Sequence, residues 1–264
     1  MTDPSLDLPP SLLLERRDDV GVLTLNRAEK RNALDDETVL GLARFFGWPP
    51  AWAKVVVLTA AGSHFSAGLD LAALTEHDAV SGLFHSRMWH DAFNRIESGR
   101  APVVAALKGA VIGGGLELAA AAHVRVAEDS TFFALPEGQR GLFVGGGASV
   151  RVPRLIGTHR MVDLMLTGRV LSADEGAQFG LAHYRVPDGR GLDKALELAA
   201  TIARNSPITN YAVIQALPRI AQAPPEAGLL LESLMAAVAQ SSLEAKDRMN
   251  AFLNGQGPKV GEDR

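Results

Sequence analysis

The sequence predicts an α/β fold that is followed by a helical C-terminal region. In the first half of the chain, apolar runs of strand length alternate with helix-compatible segments, and beyond residue 150 the pattern is almost entirely helical. Strands that alternate with helices favour crossover connections between them. We therefore expect an α/β core at residues 1–200 and a helical region at residues 201–264.

The expected strands are short, apolar and bounded by charged or turn-forming residues. The first lies between an aspartate pair and Asn26, and the third begins after Pro102. These strands are expected at Val20–Leu25, residues 54–59, Val103–Leu107, residues 124–127 and residues 131–134.

The expected helices begin at acidic or proline-containing segments, which favour helix N-termini. One helix starts near Asp35 and ends before Pro49, because proline stops a helix. Residues 78–97 and 116–122 predict two more, and residues 226–253 predict one long final helix after Pro225. Residues 109–115 are expected to form a tight loop.

Composition excludes several functional classes. The chain has 264 residues and a net charge of −4, so there is no basic field for a nucleic-acid partner. It has no cysteine, which excludes disulfides, thiolate metal sites and a cysteine nucleophile. Residues 1–10 lack the segments of a signal peptide, and no apolar run has the length of a membrane span. We expect a soluble cytoplasmic protein without a membrane partner.

The sequence also lacks the patterns of two common catalytic centres. Its seven histidines show no metal-ligand spacing and no H-E-x-x-H motif, so we expect no metal site. No G-x-S-x-G motif is present, which argues against a serine hydrolase of that type.

Two glycine-containing loops are candidates for substrate binding. Gly113, Gly114 and Gly115 follow a predicted strand and open a predicted helix. The triplet is compatible with a tight turn or with a phosphate loop, although no G-x-G-x-x-G or Walker pattern fits. A third possibility is close approach of backbone N–H groups to a ligand. Paired with Ala67-Gly68-Leu69, the triplet predicts an oxyanion hole, in which each donor contributes about 10²–10³ in rate.

Two glutamates accompany these loops. Glu117 lies in the apolar, alanine-rich segment 116–122, where a buried carboxylate is unusual unless it is paired or functional. A surface position, or an ion pair with Arg125 or Arg151, is the structural alternative. Glu137 follows Pro136, a common way to start a turn or helix. Two carboxylates beside an oxyanion hole suit general acid–base catalysis.

In order along the chain, these motifs resemble the crotonase superfamily, which contains enoyl-CoA hydratases and isomerases. The resemblance covers residues 12–253. The residues that carry it are LNRAEKRNAL at 25–34, VVVLT at 55–59, FSAGLD at 65–70, PVVAALK at 102–108, GGGLE at 113–117, PE at 136–137, RVPRLIG at 151–157 and LTGR at 166–169.

The resemblance implies a spiral of ββα units. It also implies that the helical C-terminal region covers the active site and mediates assembly as a homotrimer, or as a hexamer formed by two trimers. The substrate would be an acyl-CoA thioester, with no cofactor other than the coenzyme A that the substrate carries. By motif position, the N–H groups of Leu69 and Gly114 form the oxyanion hole. Glu117 and Glu137 hold the attacking water, and Glu137 supplies a proton to the α-carbon.

The remaining binding residues also follow from motif positions. The family often carries a basic residue shortly after the first glycine loop, but Leu71 and its neighbours stand there in this chain. The coenzyme A phosphates therefore need other partners, for which Lys30 and Arg31 are candidates. Lys259 of a neighbouring subunit is a weaker candidate. The other expected substrate contacts are Ala33, Ala67, Gly68, Asp70 and Gly113.

Arg140 departs from the family pattern near the predicted site, and three aromatic residues there are compatible with two locations. Arg140 stands where the family more often has an apolar residue, and it is compatible with binding a substrate carboxylate, with pairing to Glu137 or with pointing away. Trp89, Phe84 and Phe143 are able to admit an aromatic acyl group, but we expect them in the core.

The two glutamates favour an enoyl-CoA hydratase, because isomerases of this family commonly lack the first one. Another reaction on the same scaffold is the alternative: isomerisation, hydration and cleavage of an aromatic enoyl-CoA, or dehydration of a hydroxyacyl-CoA. A non-catalytic subunit that binds CoA thioesters is the alternative from a different class.

Overall fold

A computed structural model describes residues 7–72 and 78–256. The chain divides into two compact units, Met1–Ala203 and Arg204–Arg264. The first unit is mixed α/β and contains the described strands, while the described part of the second is helical.

The main sheet of the first unit has the strand order β1-β2-β3-β4-β6-β9. Its β1 and β2 strands are antiparallel, and the other neighbours are parallel. A smaller sheet has the order β5-β7-β8. The strands are β1 Leu12–Arg17, β2 Val20–Leu25, β3 Val55–Ala60, β4 Val103–Leu107, β5 Ala110–Ile112, β6 Val124–Glu128, β7 Phe132–Ala134, β8 Leu171–Ser172 and β9 Tyr184–Val186.

The central strands β3 and β4 of the main sheet are buried on both faces, which explains why they are almost entirely apolar. Every residue of β3 is buried. Val55 and Val57 pack into one hydrophobic core, and Val56 and Leu58 pack into the other, because successive side chains of a strand point to opposite faces. The first of these cores also contains Ala195 and Ala199 from the helix Gly191–Ala203.

Most helices of the first unit begin directly after an aspartate or a glycine, which occupies the N-cap position. Asp35 caps α1 and Asp78 caps α2, each by accepting a backbone N–H bond at the third helical residue. The helices are α1 Asp36–Gly47, α2 Ala79–Glu97, α3 Gly114–Ala121, α4 Ala148–Ile156, α5 Thr158–Thr167, α6 Ala173–Phe179 and α7 Gly191–Ala203. Short 3₁₀ turns cover Ala28–Lys30 and Glu137–Arg140.

The expectation for the glycine-rich segment of this unit is wrong. The segment 109–115 is not a single tight loop, because Ala110–Ile112 forms β5 and pairs in parallel with β7. The glycine loop is therefore confined to the connection between β5 and α3. This strand positions the loop, since Gly113 donates its N–H to the Ala134 carbonyl at 3.0 Å.

The second unit is built from helices that leave large apolar side chains exposed. Its helices are α8 Pro207–Tyr211, α9 Leu217–Ile220, α10 Pro225–Ser241 and α11 Leu243–Leu253, with a π-helical segment at Ala212–Ala216. The single final helix expected at 226–253 is wrong. The backbone of Ser242 is extended and its hydroxyl caps α11, which separates the two helices.

Among residues 7–72 and 78–256, no helix combines the length and apolar character that crossing a membrane requires.

Candidate active site

A cavity of about 450 Å³ lies in the first unit where the two glycine loops meet. Its wall comes from four segments of the chain. Residues 67–69 and 71 come from the first glycine loop, and residues 112–114 and 117 come from the second. Helix α2 contributes Gly82, His85, Ser86 and Trp89, and Glu137, Arg140 and residues 142–146 complete the lining.

The first loop presents the backbone N–H of Leu69. Leu34 fixes this loop on both sides of that residue: it donates its N–H to the Gly68 carbonyl at 2.8 Å and accepts the Asp70 N–H at 2.8 Å. Gly68 has φ +89°, and a methyl group there would lie 2.6 Å from the Ile112 carbonyl oxygen, so only glycine fits. Within the described residues, the N–H of Leu69 donates to no protein group.

The second loop presents the N–H of Gly114, the first residue of α3. Gly113 turns the chain with φ +52°. A methyl group on Gly114 would lie 3.3 Å from the Leu69 nitrogen, and one on Gly68 would lie 3.1 Å from the Gly114 nitrogen, so the two loops are in close contact. In the described part of the chain the Gly114 N–H also has no protein acceptor. Two unused donors therefore lie side by side at the cavity.

Glu117 enters the cavity from α3 as a buried carboxylate, with a residue exposure of 3%. Its Oε1 accepts the N–H groups of Gly146 at 2.8 Å and Ala148 at 3.0 Å. Burial raises the pKa of Glu117, the two N–H bonds oppose that rise, and nearby Glu137 adds to it. A carboxyl group with a raised pKa beside a cavity is a candidate proton acceptor.

The two arginines considered as ion-pair partners of Glu117 bind other groups. Arg125 donates to the carbonyls of Leu181 and Ala122, both at 2.6 Å. Arg151 pairs with Glu97 at 2.7 Å. Glu117 is thus held by backbone N–H groups.

Glu137 reaches the same cavity from the 3₁₀ turn after β7. A methyl group on Gly113 would lie 2.7 Å from its Oε1, which places this carboxyl beside the second glycine loop. Its Oε2 is buried and has no hydrogen-bond partner among the described residues. Burial raises the pKa of Glu137, while the Arg140 guanidinium lowers it in part. An unpartnered carboxyl oxygen with this pKa shift suits a proton donor.

The structure brings together seven of the predicted site residues and separates four from them. The cavity wall includes Ala67, Gly68, Leu69, Gly113, Gly114, Glu117 and Glu137. The other four are not part of that wall: Lys30, Arg31, Ala33 and Asp70.

Asp70 and Lys30 form an ion-pair cluster instead. Asp70 is buried and accepts from Arg27 at 2.8 Å and from Lys30 at 3.2 Å, and these bonds lower its pKa. Ala33 contributes its carbonyl to Arg27 at 2.7 Å, and Arg31 is exposed. The weaker candidate Lys259 lies outside the described residues.

The aromatic residues near the site divide between core and surface. Trp89 packs in the core as expected, and it also lines the cavity. The core assignment of Phe84 and Phe143 is wrong, because they are 66% and 71% exposed. Arg140 lines the cavity and has no ion-pair partner in the described part of the chain.

Sequence reasoning missed Ser86 and gave Arg151 only as a partner for Glu117. Ser86 donates to the Gly145 carbonyl at 2.6 Å, and Arg151 donates to the Gly146 carbonyl at 3.1 Å. The helical spacing of Gly82, Ser86 and Trp89 is the signal that could have placed one face of α2 on the cavity.

Two neighbouring donors suit an oxygen that gains negative charge, and two carboxyl groups with raised pKa suit proton transfer beside it. Residues 7–72 and 78–256 contain no cluster of three histidine, aspartate or glutamate side chains that could bind a metal ion.

Comparison with known proteins agrees with this geometry. The family model for enoyl-CoA hydratase/isomerase matches residues 15–262. The curated enoyl-CoA hydratase EchA19 of Mycobacterium tuberculosis is 32% identical over 260 residues, which cover 94% of this chain and 96% of that protein. The curated 2,3-dehydroadipyl-CoA hydratase of Escherichia coli is 31% identical over 251 residues, covering 94% of this chain and 97% of its own.

A solved structure extends the comparison to the fold. The crystal structure of an enoyl-CoA hydratase candidate from Rhodopseudomonas palustris CGA009 matches with a TM-score of 0.92 and 56% sequence identity, covering 94% of this chain and 97% of that one. The crotonase-like fold expected from the motifs is confirmed. Because the family model matches residues 15–262 and a curated relative is 32% identical over 94% of the chain, the chain belongs to the enoyl-CoA hydratase/isomerase family of the crotonase superfamily.

Proposed function

We propose that this protein is an enoyl-CoA hydratase, which adds water reversibly to a 2-enoyl-CoA thioester. The observation that carries the proposal is the meeting of two unused N–H donors with two carboxyl groups, one buried and one half-buried, at one cavity. The curated relatives named as enoyl-CoA hydratases support the same reaction.

The N–H groups of Leu69 and Gly114 bind the thioester oxygen. When the oxygen of water attaches to C3, the electrons of the C2–C3 double bond shift towards the thioester and form an enolate. The negative charge of this enolate collects on the thioester oxygen. Donors placed in advance for this charge contribute about 10²–10³ each to the rate. The closeness of the two loops supports this assignment, since a methyl group on Gly114 would lie 3.3 Å from the Leu69 nitrogen.

The two carboxyl groups hold the water and divide the proton transfers. Glu117 takes a proton from the water as the C3–O bond forms, and Glu137 gives a proton to C2. Product release and exchange with solvent restore both groups. The raised pKa of Glu137 favours the protonated form that this role needs, and the raised pKa of Glu117 makes it a stronger base.

The reaction is redox neutral, so the proposal includes no cofactor other than the coenzyme A of the substrate. Lys30 and Arg31 remain our candidates for its phosphates. Lys30 is half exposed and already shares Asp70 with Arg27, which leaves part of its ammonium group available. Ala33, Ala67, Gly68, Asp70 and Gly113 are proposed to shape the binding site between these cations and the oxyanion hole.

We also propose a homotrimer, or a hexamer of two trimers, that assembles through the helices of the second unit. Leu230, Leu234 and Val238 of α10 are 62%, 55% and 48% exposed. Their spacing of four residues places them in one stripe along the helix. Apolar stripes of this kind mark interaction sites. The cytoplasmic location stays a prediction, and fractionation of the native cells tests it.

The catalytic proposal predicts that hydration depends on both glutamates. Each of Glu117→Gln and Glu137→Gln is expected to lower kcat for crotonyl-CoA by at least about 10², the lower end of general acid–base effects. The measurement is the loss of conjugated-thioester absorbance with crotonyl-, octenoyl- and cinnamoyl-CoA, beside Glu232→Gln as an exposed control.

Absence of hydration with all three thioesters would contradict the proposal. Retained 3-enoyl isomerisation in Glu117→Gln, without hydration in the wild type, would identify an isomerase. Thioester binding without any turnover would identify a non-catalytic subunit.

The raised pKa of Glu117 also predicts a pH-dependent stability. Between its ordinary value of 4.5 and the raised value, the native protein binds this proton more tightly than the unfolded chain does, so stability falls as pH rises through that interval. Glu117→Gln removes this dependence. Its free energy of unfolding relative to wild type, measured by urea denaturation, is therefore expected to improve as the pH rises above the ordinary value of 4.5.

A difference between the two proteins that stays constant with pH would contradict this account of Glu117. Glu232→Gln removes an exposed carboxyl group of the same type and serves as the matched control.

The oligomer proposal predicts that Leu234→Asp dissociates the assembly, because burial of an unpaired charge in an apolar interface is strongly unfavourable. Sedimentation velocity is expected to give a trimer or hexamer for wild type and a smaller species for the variant. Gln240→Asp introduces the same charge off the stripe and should leave the mass unchanged. A monomeric wild-type protein would contradict the proposal.

A further inference from the structure

One peptide group connects Ser86 to Glu117. The Ser86 hydroxyl donates to the Gly145 carbonyl oxygen at 2.6 Å. The N–H of the same peptide, which belongs to Gly146, donates to Oε1 of Glu117 at 2.8 Å. A hydroxyl group on α2 and a carboxylate on α3 thus bind the two ends of a single amide.

The loop that contains this peptide is held in place from its other side. Arg151, which is 5% exposed, donates to the Gly146 carbonyl at 3.1 Å. Its guanidinium also binds Glu97 at 2.7 Å and Asn94 at 2.6 Å, both on α2. The amide between Ser86 and Glu117 therefore has little freedom to rotate away from either partner.

We propose that Ser86 is a positioning residue that sets the basicity of Glu117 through the Gly145–Gly146 peptide group. The proposal rests on the proposed hydration, because it concerns the group assigned as the base. Neither the family match nor the names of the relatives assigns a role to this serine.

The physical basis is the coupling of hydrogen bonds through an amide. A donor on the carbonyl oxygen polarises the peptide, and its N–H then becomes a stronger donor. A stronger bond to the ionised carboxylate favours that form, which keeps the pKa of Glu117 below the value that burial alone would give. The hydroxyl also fixes the orientation of the amide, so the N–H stays directed at Oε1.

The other charged groups near Glu117 come from three elements. Glu137 in the 3₁₀ turn raises its pKa, and Arg151 on α4 lowers it. His90 on α2 lies with Nε2 3.4 Å from the Ser86 hydroxyl, and burial together with Arg151 lowers the pKa of His90. The lowered pKa favours the neutral imidazole, and His90 also interacts with the Gly145 carbonyl.

The test compares Ser86→Ala with Ser86→Thr, which keeps a hydroxyl, and with Ser81→Ala on the exposed side of the same helix. Alanine is the strongest helix former, so the first variant keeps α2 intact. One readout is the pH dependence of crotonyl-CoA hydration. The second is the pH titration of the carboxyl infrared band of Glu117, identified by subtraction of the Glu117→Gln spectrum, and it needs no turnover.

We expect Ser86→Ala to raise the midpoint of the Glu117 band and of the acidic limb of kcat/KM by about half a unit to one unit. This corresponds to weakening one hydrogen bond to a charged group. Ser86→Thr is expected to restore both midpoints, and Ser81→Ala to leave them unchanged.

Two results would overturn the proposal. One is an unshifted Glu117 band in Ser86→Ala, including the case in which only KM rises because the hydroxyl contacts the substrate. The other is an equal shift in Ser86→Thr, which would assign the effect to packing. If wild type hydrates none of the thioesters, the proposed function fails, while the infrared titration still decides whether Ser86 acts on Glu117.

Discussion

The buried carboxylate of Glu117 is the constraint on which the elements around the cavity depend. An ionised carboxyl group is costly to bury unless donors compensate it. Here the donors are backbone N–H groups of Gly146 and Ala148, so the loop before α4 must stay against α3. Arg151 on α4 and Ser86 on α2 donate hydrogen bonds to carbonyls of the same loop, so these two helices also hold the loop against α3.

The proposed oxyanion hole depends on a second constraint, the close approach of two backbone segments. Gly68 and Gly114 stand where a methyl group would contact the opposing loop, so side chains are excluded at both points. The antiparallel and parallel strand pairs fix where each segment ends, and the pairing of β5 with β7 brings Glu137 to the second loop. Rigid strands thus carry the groups that the proposed chemistry needs at one cavity.

The sequence predicted the site residues that belong to short sequence motifs, and it missed those whose role depends on contacts between distant segments. The glycine loops are recognisable because glycines cluster directly after apolar strands, and Glu117 is recognisable because a carboxylate is unusual in an apolar segment. Glu137 was assigned from its motif position in the family resemblance. Ser86 gave no such signal, since a serine on a helix is ordinary until α2 is placed against the Gly145 carbonyl. Phe84 and Phe143 were assigned to the core on apolar character alone, and their 66% and 71% exposure depends on packing. The break at Ser242 was missed because apolar spacing continues across it.

The proposed hydration requires that the N–H groups of Leu69 and Gly114 bind the thioester oxygen of the substrate. Raman difference spectroscopy of crotonyl-CoA, carbon-13 labelled at the thioester carbonyl, tests this directly in a Glu117→Gln, Glu137→Gln double variant that is expected to bind without turnover. We predict that the carbonyl stretch falls below its position in water, because two fixed donors polarise the bond. A carbonyl band at its free position in the bound thioester would contradict the account.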